Sequence, residues 1–221
     1  MCVDHAGLAL FPSVGAFRCI GRPAFPLYCF LLVQGFRHTR DLRAYARRLL
    51  LLACVSEIPF DLLIFGQISS AMEQNVVFAL LLGLMALYAA KALAARPLPC
   101  ALAVLALMLL AMAAQVSYGW LGVALSLAYA YAGDSKKRQA LFTVLLTLLY
   151  AFTLLLSGVA RTWVAVSLCA ALSVIPIALY NGRPGPRGKA LTFFFYAAYP
   201  LHLCALALIR VMRIIPPYFW G

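Results

Sequence analysis

The fold class predicted by the sequence is all-α: a polytopic transmembrane helical bundle of about nine membrane segments joined by short loops. Three observations predict it. Of the 221 residues 66% are hydrophobic and only 11% charged, with a mean hydropathy of +0.97, whereas a soluble domain holds roughly 45–50% apolar and about a quarter charged residues. The apolar residues form continuous runs, such as Val76 to Ala95 and Ala101 to Ala114, and not the alternation of a membrane β-barrel. At roughly 20 residues per span, the segments consume most of the chain and leave no room for a water-soluble domain. These numbers exclude a soluble enzyme, a disordered chain, a coiled coil and a DNA-binding domain.

The runs fall at Cys2–Phe17, Pro23–Phe36, Arg48–Phe65, Gln74–Ala94, Leu98–Val116, Trp120–Ala132, Ala140–Gly158, Trp163–Leu179 and Leu191–Ile209. Turn-forming residues punctuate them: Arg96-Pro97-Leu98-Pro99, Gly133-Asp134-Ser135 and Asn181-Gly182-Arg183-Pro184-Gly185-Pro186. No internal repeat is visible, so residues 1–221 read as one integral-membrane domain. Asp4 and His5 stand where a cleavable signal peptide would carry basic residues.

The formal net charge of +12 would suggest nucleic acid in a soluble chain. In a membrane protein it reflects basic cytoplasmic loops and anionic headgroups, so the expected partners include membrane lipids and no nucleic acid. Most Lys and Arg residues sit in alternate loops: Arg37, Arg40, Arg43, Arg47 and Arg48; Lys91 and Arg96; Lys136, Lys137 and Arg138; Arg183, Arg187 and Lys189. Arg18, Arg22, Arg161, Arg210 and Arg213 fall on the opposite side. The positive-inside rule makes the first side cytoplasmic. The expected location is a bacterial cytoplasmic (inner) membrane, with the amino terminus inside and the carboxyl terminus outside.

Ionisable groups inside a membrane are costly, about 2.5–3.5 kcal/mol each on insertion scales, and are functional candidates for that reason. Asp4, Glu57 and Asp61 lie in apolar runs and, with Gln74, Asn75 and Tyr118, map to the outer half of the bundle. Asp4-His5 pairs an acid with a residue that titrates near neutrality and can take a proton from an amine or hydroxyl. The bland reading is a helix-end pair satisfied by headgroups and water. Glu57 and Asp61 flank Pro59 four residues apart, close enough to repel on one helical face, and Arg22 with Arg18 approaches from the same side and could neutralise them. A structural ion-pair cluster is the competing reading. Tyr199-Pro200-Leu201-His202 places a second proline beside a histidine, whose ordinary role would be a helix–helix hydrogen bond. Arg43, Arg47 and Arg48 enter the third run; Arg43 and Arg47, one turn apart, suit a phosphate clamp as well as a plain positive-inside loop. Phe193-Phe194-Phe195-Tyr196 reads as a packing or interfacial stretch.

Seven scattered cysteines without a C-x-x-C pair read as small buried hydrophobes, with neither a disulfide framework nor a metal cage. No P-loop, H-E-x-x-H or nucleophile elbow is present, and no metal is expected.

In chain order, Asp4-His5-x-Gly7 with Phe11-Pro12, Gly21-Arg22-x-Ala24-Phe25-Pro26-Leu27, Gly35-Phe36-x-His38-Thr39, Ser56-Glu57-Ile58-Pro59-Phe60-Asp61, Gln74-Asn75-Val76, Asn181-Gly182-Arg183 and Tyr199-Pro200-Leu201-His202 resemble the TraX family, which is similar to the wider membrane acyltransferase-3 group. The named member of that family acetylates the amino-terminal residue of a conjugative pilin. The resemblance implies a membrane acetyltransferase whose donor substrate is acetyl-CoA, with His5 matching the first-helix histidine that acts as base. It likens Arg43, Arg47 and Arg48 to cytoplasmic arginines near the CoA phosphates.

The leading expectation is therefore an O- or N-acetyltransferase taking acetyl-CoA from the cytoplasm and a peptide, glycan or lipid acceptor from the outer side. His5, Asp4 and His202 would be catalytic; Arg22, Glu57, Asp61, Gln74, Asn75 and Tyr199 would bind substrate. Two other classes compete. In a proton- or cation-coupled transporter the intramembrane Asp, Glu and His residues would line a path. In a non-catalytic lipid-binding or assembly subunit the acids would be replaceable by amides.

Overall fold

Apolar side chains cover the outside of this protein as fully as they fill its centre. The computed structural model describes residues 1–183, 185 and 188–212; the expectations for Pro184, Pro186, Arg187 and Arg213 lie outside the described residues. The chain forms helices α1 (Cys2–Leu10), α2 (Gly15–Gly21), α3 (Ala24–His38), α4 (Leu42–Ile64), α5 (Val76–Ala92), α6 (Pro97–Ala113), α7 (Trp120–Ala132), α8 (Lys136–Leu156), α9 (Arg161–Leu168), α10 (Val174–Leu179) and α11 (Lys189–Val211).

Helix α8 shows the inversion most plainly. Its buried face is Gln139, Thr143, Thr147 and Ala151, one residue per turn, while Leu141, Leu145, Leu148, Leu149 and Phe152 point outward. A surface helix of a soluble protein has the opposite pattern. Thr143 among the inward polar groups bonds within the bundle: the Tyr129 hydroxyl donates to Thr143 Oγ1 at 2.8 Å, and that hydroxyl donates to the Gln139 carbonyl at 2.7 Å. On α6 only Ala111 is buried. Such an exterior is compatible with lipid and not with water. Four helical stretches are long and apolar enough to cross a membrane, namely Gly15–His38, Lys136–Leu156, Arg161–Leu179 and Ala190–Val211; Val76–Ala92, Pro97–Ala113 and Trp120–Ala132 are shorter apolar helices. The protein is a multi-pass, all-helical membrane protein.

The first apolar run is not one helix. Pro12 disfavours helical geometry at Phe11, which adopts φ −138° and ψ 60°. The chain turns there, and α2 leads through a helical Arg22-Pro23 step into α3. The second span therefore begins at Gly15 and not at Pro23. Helix α4 runs unbroken past both acids with Pro59 inside it. Asp41, Asn75 and Ser135 cap α4, α5 and α8, each side-chain oxygen accepting a first-turn amide.

The centre is built from α3, α5 and α7, with Phe25, Cys29, Val33, Ala79, Leu121 and Leu125 among the buried side chains. Small residues set the helix spacing there: a Cβ on Gly83 would sit 2.5 Å from Ser126 Oγ. Of the seven cysteines only Cys29 is buried, while Cys2, Cys54 and Cys204 are exposed; a thiol facing lipid meets surroundings as apolar as a core.

Helices α1 and α2 form a close hairpin because Gly7 and Gly21 lack side chains. A Cβ on Gly21 would lie 2.2 Å from Asp4 Cβ and 2.7 Å from Asp4 Cα. Gly21→Ala is therefore expected to force α1 away and to cost about 1–3 kcal/mol of stability, read as a lowered thermal midpoint in detergent. Gly15→Ala, at a position with no atom within 4 Å, should leave that midpoint unchanged.

Candidate active site

Asp4 and His5 are neighbours on one helical turn, so their side chains point about 100° apart. The fold sends them to different partners. Asp4 faces α2, where Arg18 and Arg22, one turn apart, straddle Gly21. Arg18 Nη1 lies 3.1 Å from Asp4 Oδ2 and also donates to the Asp4 carbonyl at 3.3 Å. Arg22 Nε is 3.8 Å from Asp4 Oδ1, an ion pair too long for a hydrogen bond. Arg22 Nη1 donates to the Tyr118 hydroxyl at 3.0 Å, and the Tyr118 ring stacks on Phe25 at 3.9 Å. Tyr118 holds that place with φ +64°, a left-handed conformation costly for a residue with a bulky side chain.

His5 faces α11 instead. Its Nδ1 lies 2.8 Å from His202 Nε2. The rings are 14° from coplanar with centroids 5.1 Å apart, about the widest separation a 2.8 Å N···N contact permits, so the bond lies in the plane of both rings. His202 Nδ1 is 2.9 Å from the Ala198 carbonyl, which can only accept. With both rings neutral, the proton arrangement follows: His202 donates from Nδ1 and accepts at Nε2, and His5 donates from Nδ1. His5 Nε2 is left with its lone pair. A histidine held in one tautomer by a second group is poised as a proton acceptor.

Tyr199 stands against both imidazoles, its ring centroid 6.2 Å from that of His5 and 5.4 Å from that of His202. Its hydroxyl is buried without a hydrogen-bond partner among the described residues, a state that costs free energy unless something else fills the position.

Tyr199 and His202 line a cavity of about 440 Å³. Met1 and Cys2 of α1, Tyr28 and Leu32 of α3, Tyr45, Leu49 and Leu52 of α4, Val76, Val77 and Leu80 of α5, and Tyr196, Tyr199 and His202 of α11 line it. The walls are mostly apolar; His202 and tyrosine hydroxyls supply the polar groups. Leu52 and Tyr196 also border an open groove of about 990 Å³ between α4 and α11, whose lining includes Arg48, Thr192 and Phe193. The Arg48 guanidinium lies 5.7 Å from the ring centroid of Tyr45, so a cation of the groove stands against a residue that lines the cavity.

Several expected site residues sit elsewhere. Asp4 does not hold the His5 ring; its carboxylate is engaged by the two arginines, and His202 occupies the orienting position. Arg18 and Arg22 do not neutralise Glu57 and Asp61, because the α1–α2 hairpin brings them to Asp4. Glu57 Oε2 accepts from the Asn75 amide nitrogen at 3.2 Å and from its side-chain nitrogen, and Asn75 also donates to the Ala53 carbonyl at 2.8 Å. Asp61 Oδ2 accepts from the Ser70 amide at 2.7 Å. Gln74 ties the segments that precede α5 and α7 through backbone bonds with Gln115 and Ser117. None of Asp4, His5, Glu57, Asp61, Gln74 or Asn75 lines the cavity. Arg43, Arg47 and Arg48 are exposed at the start of α4. Tyr196, expected as packing, lines the cavity with Tyr28 and Tyr45; an aromatic residue in an apolar run carries no signal of that role.

The family model described as TraX protein matches residues 1–210. A protein of Dichelobacter nodosus named probable fimbrial assembly protein FimC, serogroup H1, is 32% identical over 227 aligned residues, spanning 93% of this chain and 89% of its own length. No solved structure matches the chain. The Asp-His start, the two helices with an internal proline and the arginine-straddled hairpin thus lie inside a match that runs almost from end to end, and the chain belongs to the TraX family.

Proposed function

We propose that this protein is an acetyl-CoA-dependent acetyltransferase of the bacterial cytoplasmic membrane, formed by one domain of nine crossing segments, that modifies an amine or hydroxyl acceptor reached from the outer side. A pilin is the favoured acceptor class, because the TraX family is associated with pilin acetylation and the bacterial relative carries a fimbrial assembly name. The single observation that carries the reading is the in-plane His5–His202 bond, whose His202 partner lines an apolar cavity next to a groove lined by Arg48.

The residues fit the donor. Arg43, Arg47 and Arg48 offer charge-assisted contacts to the nucleotide phosphates at the inner rim, and the apolar cavity has room for the slender pantetheine arm. The Tyr199 hydroxyl, buried and unpartnered among the described residues, is free to donate to the thioester oxygen as negative charge develops there. His5 stands beside His202 and outside the cavity lining, so its Nε2 takes the proton from an amine or hydroxyl that arrives from the outer side, and His202 Nε2 stabilises the resulting imidazolium through His5 Nδ1–H. The acyl carbon–sulfur bond breaks as the new acyl bond to nitrogen or oxygen forms, and the CoA thiolate leaves and is protonated. Because the thioester is already activated, positioning and exclusion of water supply most of the acceleration. A cation path has less support: Asp4, Glu57 and Asp61 are engaged by protein donors.

Purified protein in detergent should gain thermal stability from CoA. At one hundred times the dissociation constant the linkage is about 2.7 kcal/mol, a rise of roughly 5–10 °C for a chain of this size. Replacing Arg43, Arg47 and Arg48 together by Glu should abolish the rise while leaving the ligand-free midpoint in place. Indifference of the wild type to CoA would overturn the reading. Comparison of pilin masses from cells with and without the gene then reads the acetyl increment directly.

A further inference from the structure

We infer that Cys19 and Cys169 form a disulfide in the protein as it stands in the cell, a covalent strap across the outer half of the bundle. The two sulfurs lie 2.6 Å apart, closer than non-bonded sulfur atoms can sit without repulsion, although 150 residues separate them in sequence. Cys19 lies on α2, next to Arg18 and three residues before Arg22. Cys169 opens the 3₁₀ turn Cys169–Ser173 that separates α9 from α10. A 3₁₀ turn inside a long helix changes the direction in which side chains project, and here that change falls where the helix passes α2.

Location supports the bond. Within the apolar stretch Gly15–His38, His38 adjoins the arginine-rich loop that the charge distribution assigns to the cytoplasm. Cys19 is four residues from the opposite end. Cys169 is eight residues beyond Arg161, which begins its own stretch at that same outer end. Both sulfurs thus lie within apolar stretches, on the half nearer the extracytoplasmic side, where an oxidising compartment favours disulfides that the cytoplasm would keep reduced.

The oxidant is an extracytoplasmic protein disulfide of the thiol-oxidoreductase class. The thiolate of one cysteine attacks a sulfur of the oxidant and releases one of its thiols; the second cysteine attacks the mixed disulfide and releases the other. Two thiols of this chain are oxidised, the oxidant is reduced to a dithiol, and the two protons end on the released thiols. The strap fixes α2 against the 3₁₀ turn and so fixes the helix that presents Arg18 and Arg22 to Asp4. None of this rests on the acetyltransferase reading.

The test uses the full chain in intact cells. Cells are quenched in acid, which stops exchange, and dissolved in denaturant with N-ethylmaleimide. After reduction a heavy-isotope form of the reagent is added, and peptides are read by mass spectrometry. Cys19 and Cys169 should carry the heavy label, while Cys2, Cys29, Cys54, Cys100 and Cys204 carry the light one. In Cys19→Ser, Cys169 should change from heavy to light. A second readout is thermal: reductant should lower the midpoint of the purified wild type by several degrees and leave Cys19→Ser/Cys169→Ser unmoved. Light label on both Cys19 and Cys169 in wild-type cells would overturn the inference and leave the pair as a packing contact between thiols.

Discussion

His202→Phe is expected to lower acetyl transfer by about 10²–10⁴-fold, the range over which a positioned acid–base group acts, with the fold intact. Phenylalanine fills most of the space of the imidazole but offers no lone pair to His5 Nδ1–H. That donor now meets His202 Nε2 at 2.8 Å; without it the His5 tautomer and ring plane are no longer held, and the imidazolium formed on proton transfer loses its acceptor. His5→Ala, which removes the base itself, should cost at least as much. Because both residues act as one unit, the double variant should be little worse than His5→Ala alone. Steady-state transfer assays on the three variants, with the detergent melting curve as a check on folding, decide the matter. Wild-type rates in His202→Phe would remove the second histidine from the chemistry, and fully multiplicative losses in the double variant would show that the two rings do not work together.

Asp4→Asn is expected to be the most destabilising single change in the α1–α2 hairpin. The carboxylate serves two guanidinium groups, and the side chains of Asp4, Arg18 and Arg22 retain only 11%, 11% and 18% of their exposure. Pairs exposed to water are worth little, but removing one partner of a buried pair leaves an uncompensated charge and costs about 3–5 kcal/mol. Arg22 would keep the Tyr118 hydroxyl and Arg18 the Trp163 ring, 5.5 Å away; neither is charged. The midpoint in detergent should fall by roughly 6–20 °C. Adding Arg18→Met should restore part of the loss, since one of the stranded cations is then gone. A single variant that melts with the wild type would show that this cluster is solvated and contributes little.

How much of this was legible beforehand follows from what each residue's signal depends on. Composition was enough for the fold class, because the Leu-rich outer face of α8 and its Gln139–Thr143–Thr147 inner face both follow from a solvent that is itself apolar. Helix ends were less legible: the single residue Pro12 divides the first run and moves the start of the second span to Gly15. His5 and His202 each stood out as ionisable groups in apolar runs, yet nothing local could pair them, since 197 residues lie between and their meeting depends on α1 docking against α11. Asp4 shows the reverse error. Adjacency to His5 suggested shared work, but a helix separates consecutive side chains, and the glycine-lined hairpin gave Asp4 to α2. Asn75 was legible as a polar oddity; its triple role, capping α5 while bonding Glu57 and the Ala53 carbonyl, was visible only in three dimensions. The cavity itself left no trace, because tyrosines among leucines look alike whether they fill space or border it.

Tyr196, Tyr199 and His202 succeed one another at three-residue steps along α11. They are thus mounted on a common axle, and no sliding or rolling of that axle can shift the imidazole without carrying both phenols with it. The outward side of the same axle bears Phe193 and Phe194 among its exposed rings. Bilayer thickness and lateral pressure thereby gain a mechanical handle on the chamber's wall.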